Sequence, residues 1–280
     1  MNILSLVNAL PGAAAQGLIW GIMAIGVYLT FRILDVADLT VDGTMCTGGA
    51  VCVMMLMSGH NIWVSMLAAT GAGMLAGLAT GIFHTFMGIP AILAGILTQL
   101  GLYSANLKIM GKANQAVNGN KYNLLVSLRN VKGVPFYQNT ILIVAIFIVV
   151  LIAILYWFFG TELGCSLRST GCNPNMSRAQ GINTNVCKVL GLMISNGLVA
   201  LSSALLAQYQ GFADVNMGRG AIVIGLAAVI IGEAIFSRIF RNFALKLLSV
   251  VFGSILYYLV LQIVIWMGID TDLLKMLSAL

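Results

Sequence analysis

Residues 35–43 read Asp-Val-Ala-Asp-Leu-Thr-Val-Asp-Gly and place three carboxyl groups between two long apolar segments. The segment before them covers residues 14–34, and the one after them covers residues 43–57. A continuous helix facing lipid would not accept three ionisable side chains, because each would lose its hydration in the bilayer core. The stretch therefore predicts a helix that is broken inside a membrane.

The composition agrees with a protein that crosses the bilayer several times. The chain has 280 residues, of which 60% are apolar and 8% are charged, whereas about a quarter are charged in an ordinary soluble domain. A spanning helix needs about 20 apolar residues, so there is room for about eight spans. The apolar runs are continuous rather than alternating, which favours an all-α polytopic fold over a β-barrel. The eight predicted segments are 14–34, 43–57, 62–87, 89–107, 140–159, 186–208, 220–236 and 245–267.

A second break is predicted before the seventh segment. Residues 213–218 read Ala-Asp-Val-Asn-Met-Gly and echo residues 37–43, Ala-Asp-Leu-Thr-Val-Asp-Gly. The two breaks are five segments apart, and an odd shift turns the second copy upside down relative to the first. Transporters build pathways from such inverted repeats, with discontinuous helices near the membrane midplane. We therefore expect one transmembrane domain over residues 1–280, with repeat halves at about 14–107 and 186–267, unless the two short stretches match by chance.

Glycines in the third segment predict close helix packing. Gly73, Gly77 and Gly81 recur every fourth residue, so they lie on one helix face and allow another backbone to approach. We expect this face to serve packing and not chemistry.

Basic residues lie mainly in the connections between apolar segments. Contact with anionic lipid headgroups therefore explains the formal net charge of +6 better than nucleic acid does. The positive-inside rule does not decide the orientation by number, because the two sides of the predicted topology carry equal counts. Long loops weigh less in that rule, which favours placing the basic loop 108–138 outside, together with both termini. This loop has no acidic residue, and we expect it to dock on an acidic extracytoplasmic surface.

The most polar connection is residues 164–181, between the fifth and sixth segments. Asn173 suits the N-cap of a short helix, Pro174 suits its first position and Gly181 can end it. A helix of about two turns is not stable alone in water, so it should dock against something. An ordinary capped loop is the alternative interpretation.

Four stretches of the chain carry a resemblance to a known family. They are residues 21–34 running into 38–43, 92–97 with 103–111, 167–176 with 179–183, and 210–218 with 225–233. The third of them includes Leu-Arg-Ser-Thr-Gly-Cys-Asn-Pro-Asn-Met at residues 167–176. Together they resemble the permease subunits of bacterial ABC importers in the branched-chain amino acid and ribose permease superfamily. Within that superfamily the chain most resembles the permeases of tryptophan and tyrosine transport systems.

The resemblance implies a type II-like importer permease of the bacterial inner membrane. Such a permease would work as a homodimer, driven by two ATP-binding subunits and supplied by an extracytoplasmic binding protein. Its implied substrate is an aromatic amino acid such as tryptophan. The loop 164–185 would carry the coupling helix that docks on the ATP-binding subunit. The implied coupling residues are Asn173, Pro174, Asn175, Met176, Arg178, Ala179 and Gln180.

Nucleotide is expected on a partner rather than on this chain. No GxxxxGK[ST] phosphate-binding loop occurs, and Gly111-Lys112 is followed by Ala113. ATP and Mg²⁺ would then be held by the ATP-binding subunit. The five cysteines form no CxxC pair and have no nearby histidine, so we expect no metal site, no cofactor and no catalytic residue here.

Polar groups beside the two breaks, and Glu233 near the end of the seventh segment, are the candidate pathway residues, because charges inside a membrane are costly and usually functional. For Glu233 the alternative is a position at the membrane interface. Arg32 is near enough in sequence to pair with the first two acidic candidates, and Arg219 with the third. The alternative is that the acidic residues cap half-helices, since Asp is favoured beside a helix N-terminus. The candidates are Asp38, Thr40, Asp42, Asp214, Asn216 and Glu233.

Two other classes of function remain open from the residues alone. An ion-coupled secondary transporter also uses inverted repeats and broken helices, with Asp38, Asp42 or Asp214 as the coupling carboxylate. A membrane scaffold or receptor fits less well, because it has no need of broken helices. The capped loop discriminates, since an ion-coupled carrier has no partner to which it must present such a loop.

Overall fold

The computed structural model describes residues 3–117, 122, 124–128, 139–237, 240 and 242–268. These residues form ten α-helices and one small antiparallel ribbon. The helices are α1 (Ile3–Tyr28), α2 (Thr40–Met57), α3 (Ile62–Thr85), α4 (Ala91–Met110), α5 (Thr140–Gly160), α6 (Glu162–Cys172), α7 (Pro174–Ala179), α8 (Thr184–Gln210), α9 (Ala221–Phe236) and α10 (Phe243–Trp266). The strands are β1 (Asn114–Ala116) and β2 (Phe212–Asp214).

The all-α polytopic fold is confirmed. The eight predicted segments correspond to α1 to α5 and α8 to α10. Seven helices of the described residues are long and apolar enough to cross a membrane, and α9 is shorter, with 16 residues. The helix α1 begins at Ile3, well before residue 14, because residues 3–10 are themselves mostly apolar.

Both predicted breaks are present. The helix α1 ends in a π-helical turn (Leu29–Ile33), and residues 34–39 then connect it to α2 without regular structure. Asp35 in this connection has a φ of 56°, a left-handed conformation that few residues other than glycine adopt. The second break consists of β2 and the turn that follows it, before α9 begins.

The two short helices α2 and α9 run away from each other. Their starts touch, because Asp42 in the first turn of α2 contacts Gly220 just before α9. The far end of α2 lies against β1, where Gln115 contacts Met57. The far end of α9 lies instead against the end of α1. The N-termini therefore meet and the C-termini diverge, which is the arrangement of discontinuous helices in an inverted repeat.

The bundle has two distinct ends. We call one the α7 end, where α6 and α7 lie beside the end of α1; a Cβ atom at Gly171 would overlap the carbonyl oxygen of Ile33. We call the other the ribbon end, where Asn114 of β1 pairs with Asp214 of β2. The described part of the basic loop 108–138 lies at the ribbon end. Residues 118–121, 123 and 129–138 of the loop lie outside the described residues, so the docking of this loop stays a prediction.

Close packing at the glycine face of α3 is confirmed. A Cβ atom at Gly73 would overlap the carbonyl oxygen of Asn196, and one at Gly77 would overlap the carbonyl oxygen of Leu192. A Cβ atom at Gly81 would lie 3.0 Å from the Cα of Val189. Only residues without a side chain allow α3 and α8 to come this close.

Candidate functional site

The start of α2 is fixed by buried hydrogen bonds. Asp38 is 3% exposed, and its carboxylate accepts from the Thr40 N–H at 2.9 Å and from the Asn196 side chain at 2.7 Å. The Thr44 hydroxyl donates to the same Asn196 side chain at 2.7 Å. A buried carboxylate is tolerated only when such donors surround it. This network ties the first turn of α2 to the middle of α8.

Thr40 belongs to a neighbouring network between α2, α3 and α4. Its hydroxyl lies 2.7 Å from that of Thr80, which donates to Thr98 at 2.9 Å. All three side chains are buried. Of the predicted pathway residues, Asp38 and Thr40 therefore lie in the interior of the single chain.

The start of α9 is capped by a residue of α2. The Asp42 carboxylate accepts from the Gly220 N–H and from the Ile222 N–H, both at 3.0 Å. Free N–H groups at a helix start need such partners, and the helix dipole favours a negative charge there. Capping was the alternative role considered for the acidic residues. The sequence did not reveal that the cap would come from the other broken helix.

A cavity of about 320 Å³ lies beside the contact between the starts of α2 and α9. It is lined by the acidic Asp42 and the basic Arg219, together with the polar side chains of Gln99 and Tyr103. Within the described residues, neither the Arg219 guanidinium nor the Tyr103 hydroxyl makes a hydrogen bond. Leu100 and Tyr103 on the exposed face of α4 border the cavity, so it adjoins that face. Such a cavity offers opposite charges and an aromatic ring to a small ligand.

The two remaining candidates beside the second break lie near the ribbon. The Asp214 carboxylate accepts from the Asn216 N–H at 2.6 Å and from the Asn114 side chain at 3.3 Å. Asn216 itself is exposed. In the described part of the chain Asp214 forms no ion pair, so the pairing with Arg219 suggested by the sequence does not occur.

Glu233 lies at the α7 end, far from the cavity. Its carboxylate pairs with the Arg32 guanidinium at 3.1 Å, with side chains 32% and 59% exposed respectively. The sequence had suggested Asp38 or Asp42 as the partner of Arg32. Those two carboxylates already accept hydrogen bonds from the starts of α2 and α9, and Arg32 lies in the π-helical turn that ends α1.

The short helix at the α7 end begins as predicted. The Asn173 side chain accepts from the N–H groups of Asn175 and Met176, both at 3.1 Å, and Pro174 occupies the first position. Gly181 follows the helix with a φ of 83°.

The coupling residues differ in what they can present to a partner. Met176 is 59% exposed, whereas the Arg178 guanidinium donates to the Thr184 hydroxyl at 2.8 Å at the start of α8. Arg178 therefore holds α7 onto α8 as well as facing outward. The other exposed coupling residues are Asn173, Pro174, Asn175, Ala179 and Gln180.

The sequence prediction of one short helix in this connection was incomplete. A second helix, α6, precedes α7 and is capped by the Thr161 hydroxyl, which accepts from the Gly164 N–H at 3.4 Å. The signal that could have revealed it is Thr161 followed by Glu162, since a hydroxyl cap and an acidic first turn are typical of a helix start. Arg168 of α6 donates to the Phe159 carbonyl oxygen at 2.6 Å and holds α6 against the end of α5.

Comparison with known proteins gives a consistent result. A family described as "Branched-chain amino acid transport system / permease component" matches residues 10–280. The chain is 38% identical over 265 residues to the tyrosine transport system permease protein of Clostridioides difficile, covering 95% of this chain and 86% of the relative.

Two further relatives extend the comparison. The protein RP368 of Rickettsia prowazekii is 36% identical over 272 residues, covering 96% of this chain and 94% of that protein. The autoinducer 2 import system permease protein LsrC of Salmonella paratyphi B is 26% identical over 212 residues, covering 75% of this chain and 59% of LsrC. The broken helices, the capped loop and these matches agree, and the chain belongs to the family of permease components of branched-chain amino acid transport systems, multi-pass membrane proteins of ABC importers.

Proposed function

We propose that the chain forms half of the pathway of an ATP-driven importer for an aromatic amino acid, and that it does so as a homodimer. The observation that carries the proposal is the cavity beside the starts of α2 and α9. It offers a carboxylate on Asp42, a guanidinium on Arg219 and a ring on Tyr103 within one space. An aromatic amino acid carries the matching ammonium, carboxylate and ring.

The charges beside the cavity argue for a second copy. Charged groups are not left facing lipid, because an isolated charge in the bilayer core is costly. The α4 face that borders the cavity is apolar and exposed at Ile92, Leu93, Ile96, Leu97 and Leu100. A second copy packed on this face would cover the apolar side chains and enclose the charged groups within a shared pathway.

The polar groups beside the cavity favour the passage of a substrate over its tight binding. Both carboxylate oxygens of Asp42 accept hydrogen bonds from the start of α9, which leaves Asp42 only part of its hydrogen-bonding capacity for a substrate. A site with few polar contacts binds weakly and releases quickly, as a pathway must. In this proposal Asp42, Arg219 and Tyr103 contact substrate in the cavity. Asn216 contacts it nearer the ribbon end, Asp38, Thr40 and Asp214 position the broken segments, and Glu233 acts at the far end of α9.

Energy is supplied from the α7 end in this proposal. The exposed Met176 and its neighbours in α7 dock into a groove of a separate ATP-binding subunit, which holds ATP and Mg²⁺. The extracytoplasmic binding protein docks at the ribbon end, where the basic loop begins. Movement of α7 would reach α8 through the bond between Arg178 and Thr184.

The test is uptake into vesicles that contain the assembled complex, with ATP inside and no ion gradient. We expect uptake of tyrosine or tryptophan that leucine does not compete for. Replacing Tyr103 by Leu should reduce the preference for aromatic over aliphatic amino acids by about tenfold, a size typical of one apolar pocket contact. Tyr103→Phe keeps the ring and serves as the matched control.

Three outcomes would overturn different parts of the proposal. Uptake driven by a proton or sodium gradient without ATP would exclude the ATP-driven importer. ATP-driven uptake of another solute, such as autoinducer 2, would exclude only the cargo. A particle containing a single copy of the chain would exclude the dimer.

A further inference from the structure

A large cleft lies at the α7 end, away from the proposed pathway. It has a volume of about 820 Å³ and lies between the ends of α1 and α5, the helix α6 and the start of α10. Three basic residues line it, namely Arg32, Arg168 and Lys246. Among the described residues that line it there is no aspartate or glutamate. We call this space the basic cleft.

The basic cleft retains positive charge that the protein does not neutralise. In the part of the chain that the structure describes, the Lys246 ammonium has no hydrogen bond or ion pair. Arg168 donates one N–H to the Phe159 carbonyl oxygen and lies 5.8 Å over the Phe243 ring, contacts that orient its guanidinium without cancelling its charge. Arg32 forms an ion pair with Glu233, which offsets its charge but leaves its other N–H groups available as donors, so the uncompensated charge comes from Arg168 and Lys246. The cleft is therefore suited to an anion.

The surroundings of the basic cleft indicate that the anion comes from lipid. The outer face of α5 exposes Val149, Val150 and Ile154, as a helix facing acyl chains does. Where α5 reaches the cleft, this face ends in Tyr156 and Trp157, which are 50% and 72% exposed. Tyr and Trp are enriched at the level of the lipid headgroups, where one side of the ring is apolar and the other polar.

We infer that the basic cleft binds the phosphate headgroup of an anionic phospholipid, with its acyl chains along α5. Basic pockets between helices at the cytoplasmic side are known to accept such headgroups. A phosphate there would bridge Arg168 of α6, Lys246 of α10 and Arg32 at the end of α1. The lipid would thereby hold the connection that carries α7 against two spanning helices. This inference rests on the proposed function only in placing the α7 end at the cytoplasmic side, and it does not need the proposed cargo.

The test uses Trp157 as a reporter of the lipid beside it. The full-length permease is reconstituted in phosphatidylcholine vesicles that contain about one fifth phosphatidylglycerol. Phosphatidylglycerol is the anionic lipid of the mixture, so it is the one that basic residues attract. Brominated acyl chains quench tryptophan on contact, and either lipid can carry the bromine. The quenching specific to Trp157 is the difference between the natural chain and Trp157→Phe. We expect phosphatidylglycerol to be enriched several-fold over its bulk fraction.

Charge variants establish whether the basic cleft causes the enrichment. Lys246→Gln should lower the binding constant of phosphatidylglycerol relative to phosphatidylcholine by about fivefold, the effect of one basic residue near anionic lipid. Lys246→Arg should retain it. Lys188→Gln, which removes a basic residue of α8 outside the lining of the cleft, is the matched control and should leave it unchanged. Since the Lys246 ammonium bonds to no described residue, its loss should not impair folding.

Four results would overturn the inference. Equal quenching by both brominated lipids would show that no anionic lipid is selected. Equal enrichment in the Lys246→Gln and Lys188→Gln variants would place the selection elsewhere. Loss of enrichment on adding inorganic phosphate at constant ionic strength would assign the site to a soluble anion. Loss on adding the ATP-binding subunit would assign the basic cleft to that partner.

Discussion

The starts of the two broken helices share one local bond and then differ in their surroundings. In the first copy Asp38 accepts from the Thr40 N–H at 2.9 Å, and in the second Asp214 accepts from the Asn216 N–H at 2.6 Å. At both starts an aspartate carboxylate thus accepts from the N–H two residues later, while the extent of the repeat halves stays a prediction. Beyond this point α2 begins at once, whereas α9 begins only at Ala221.

The difference predicts which polar groups serve the structure and which are available to a substrate. The first start is buried, and its carboxylate is satisfied by α8 through Asn196. The second start borders a cavity, and its helix α9 is capped by Asp42 of α2. Buried networks that are fully bonded make a structure rigid and unique, while half-exposed groups remain available to ligands. We expect variants of the two starts to behave accordingly.

The largest effect is expected where the starts of the two broken helices touch within one chain. Gly218 lies so close to Asp42 that a Cβ atom would overlap its carbonyl oxygen. Gly218→Val should therefore separate the starts of α2 and α9 and abolish transport, with a loss of stability of about 1–3 kcal/mol or more from overpacking. Thermal unfolding of the detergent-purified chain and uptake by the complex measure the two effects.

Gly71→Ala is the matched control for that experiment. Gly71 lies on α3, and a Cβ atom there would meet nothing within 4 Å. Alanine is preferred over glycine in a helix by about 1 kcal/mol, so stability should stay equal or rise. Full transport by the complex that contains Gly218→Val would show that the starts of α2 and α9 need not touch.

The next prediction contrasts the two carboxylates directly. Asp38→Ala should cost about 1–3 kcal/mol of stability, because the buried Asn196 amide loses its partner. Asp42→Ala should cost about 1 kcal/mol, the typical value of a helix cap, yet it should reduce transport more strongly than its stability loss explains. Unfolding temperatures compared with uptake rates at a temperature where both variants stay folded give the answer. The reverse pattern would mean that the buried carboxylate is the one that contacts substrate.

The sequence predicted the two breaks well because their cause is local. Three acidic residues within eight positions cannot lie in a lipid-facing helix, whatever the rest of the chain does. The cap of α7 was equally local, since Asn173, Pro174 and Gly181 each favour one position of a short helix. Such features need no knowledge of tertiary contacts.

Features that depend on distant contacts could not be predicted. Glu233 is 201 residues from Arg32 in sequence, and only the inverted course of α9 brings them together. The cavity combines Gln99 and Tyr103 of α4 with Arg219 of the second break, which share no sequence pattern. The helix α6 was missed because Gly164 and Gly171 lower its intrinsic propensity, and packing against α5 and α1 compensates.

A smaller effect is expected at the cap of α7. This cap is a reference for the Asp42 cap, in which a residue of α2 caps α9. Asn173 accepts from two N–H groups of its own helix, just as Asp42 accepts from two N–H groups of another. Asn173→Ala should destabilise α7 by about 1 kcal/mol and lower the ATP hydrolysis that transport stimulates, while the permease stays folded. Asn173→Asp keeps a cap and should retain most of the stimulation. Unchanged stimulation in the alanine variant would mean that α7 docks without needing its cap.

The smallest effect is expected at the far end of α9, where the ion pair of Arg32 with Glu233 is the second contact, besides the Asp42 cap, that could fix this helix. Arg32 and Glu233 are both partly exposed, so solvent screens their attraction, and such pairs contribute about 0–1 kcal/mol. A double-mutant cycle of Arg32→Gln and Glu233→Gln, measured by thermal unfolding at low and high salt, isolates the pair from effects of either residue alone. We expect a coupling energy below that of the Asp42 cap, decreasing as salt rises. A larger coupling energy that salt does not reduce would mean that α9 is held in place at the α7 end, rather than by the contact between the starts of α2 and α9.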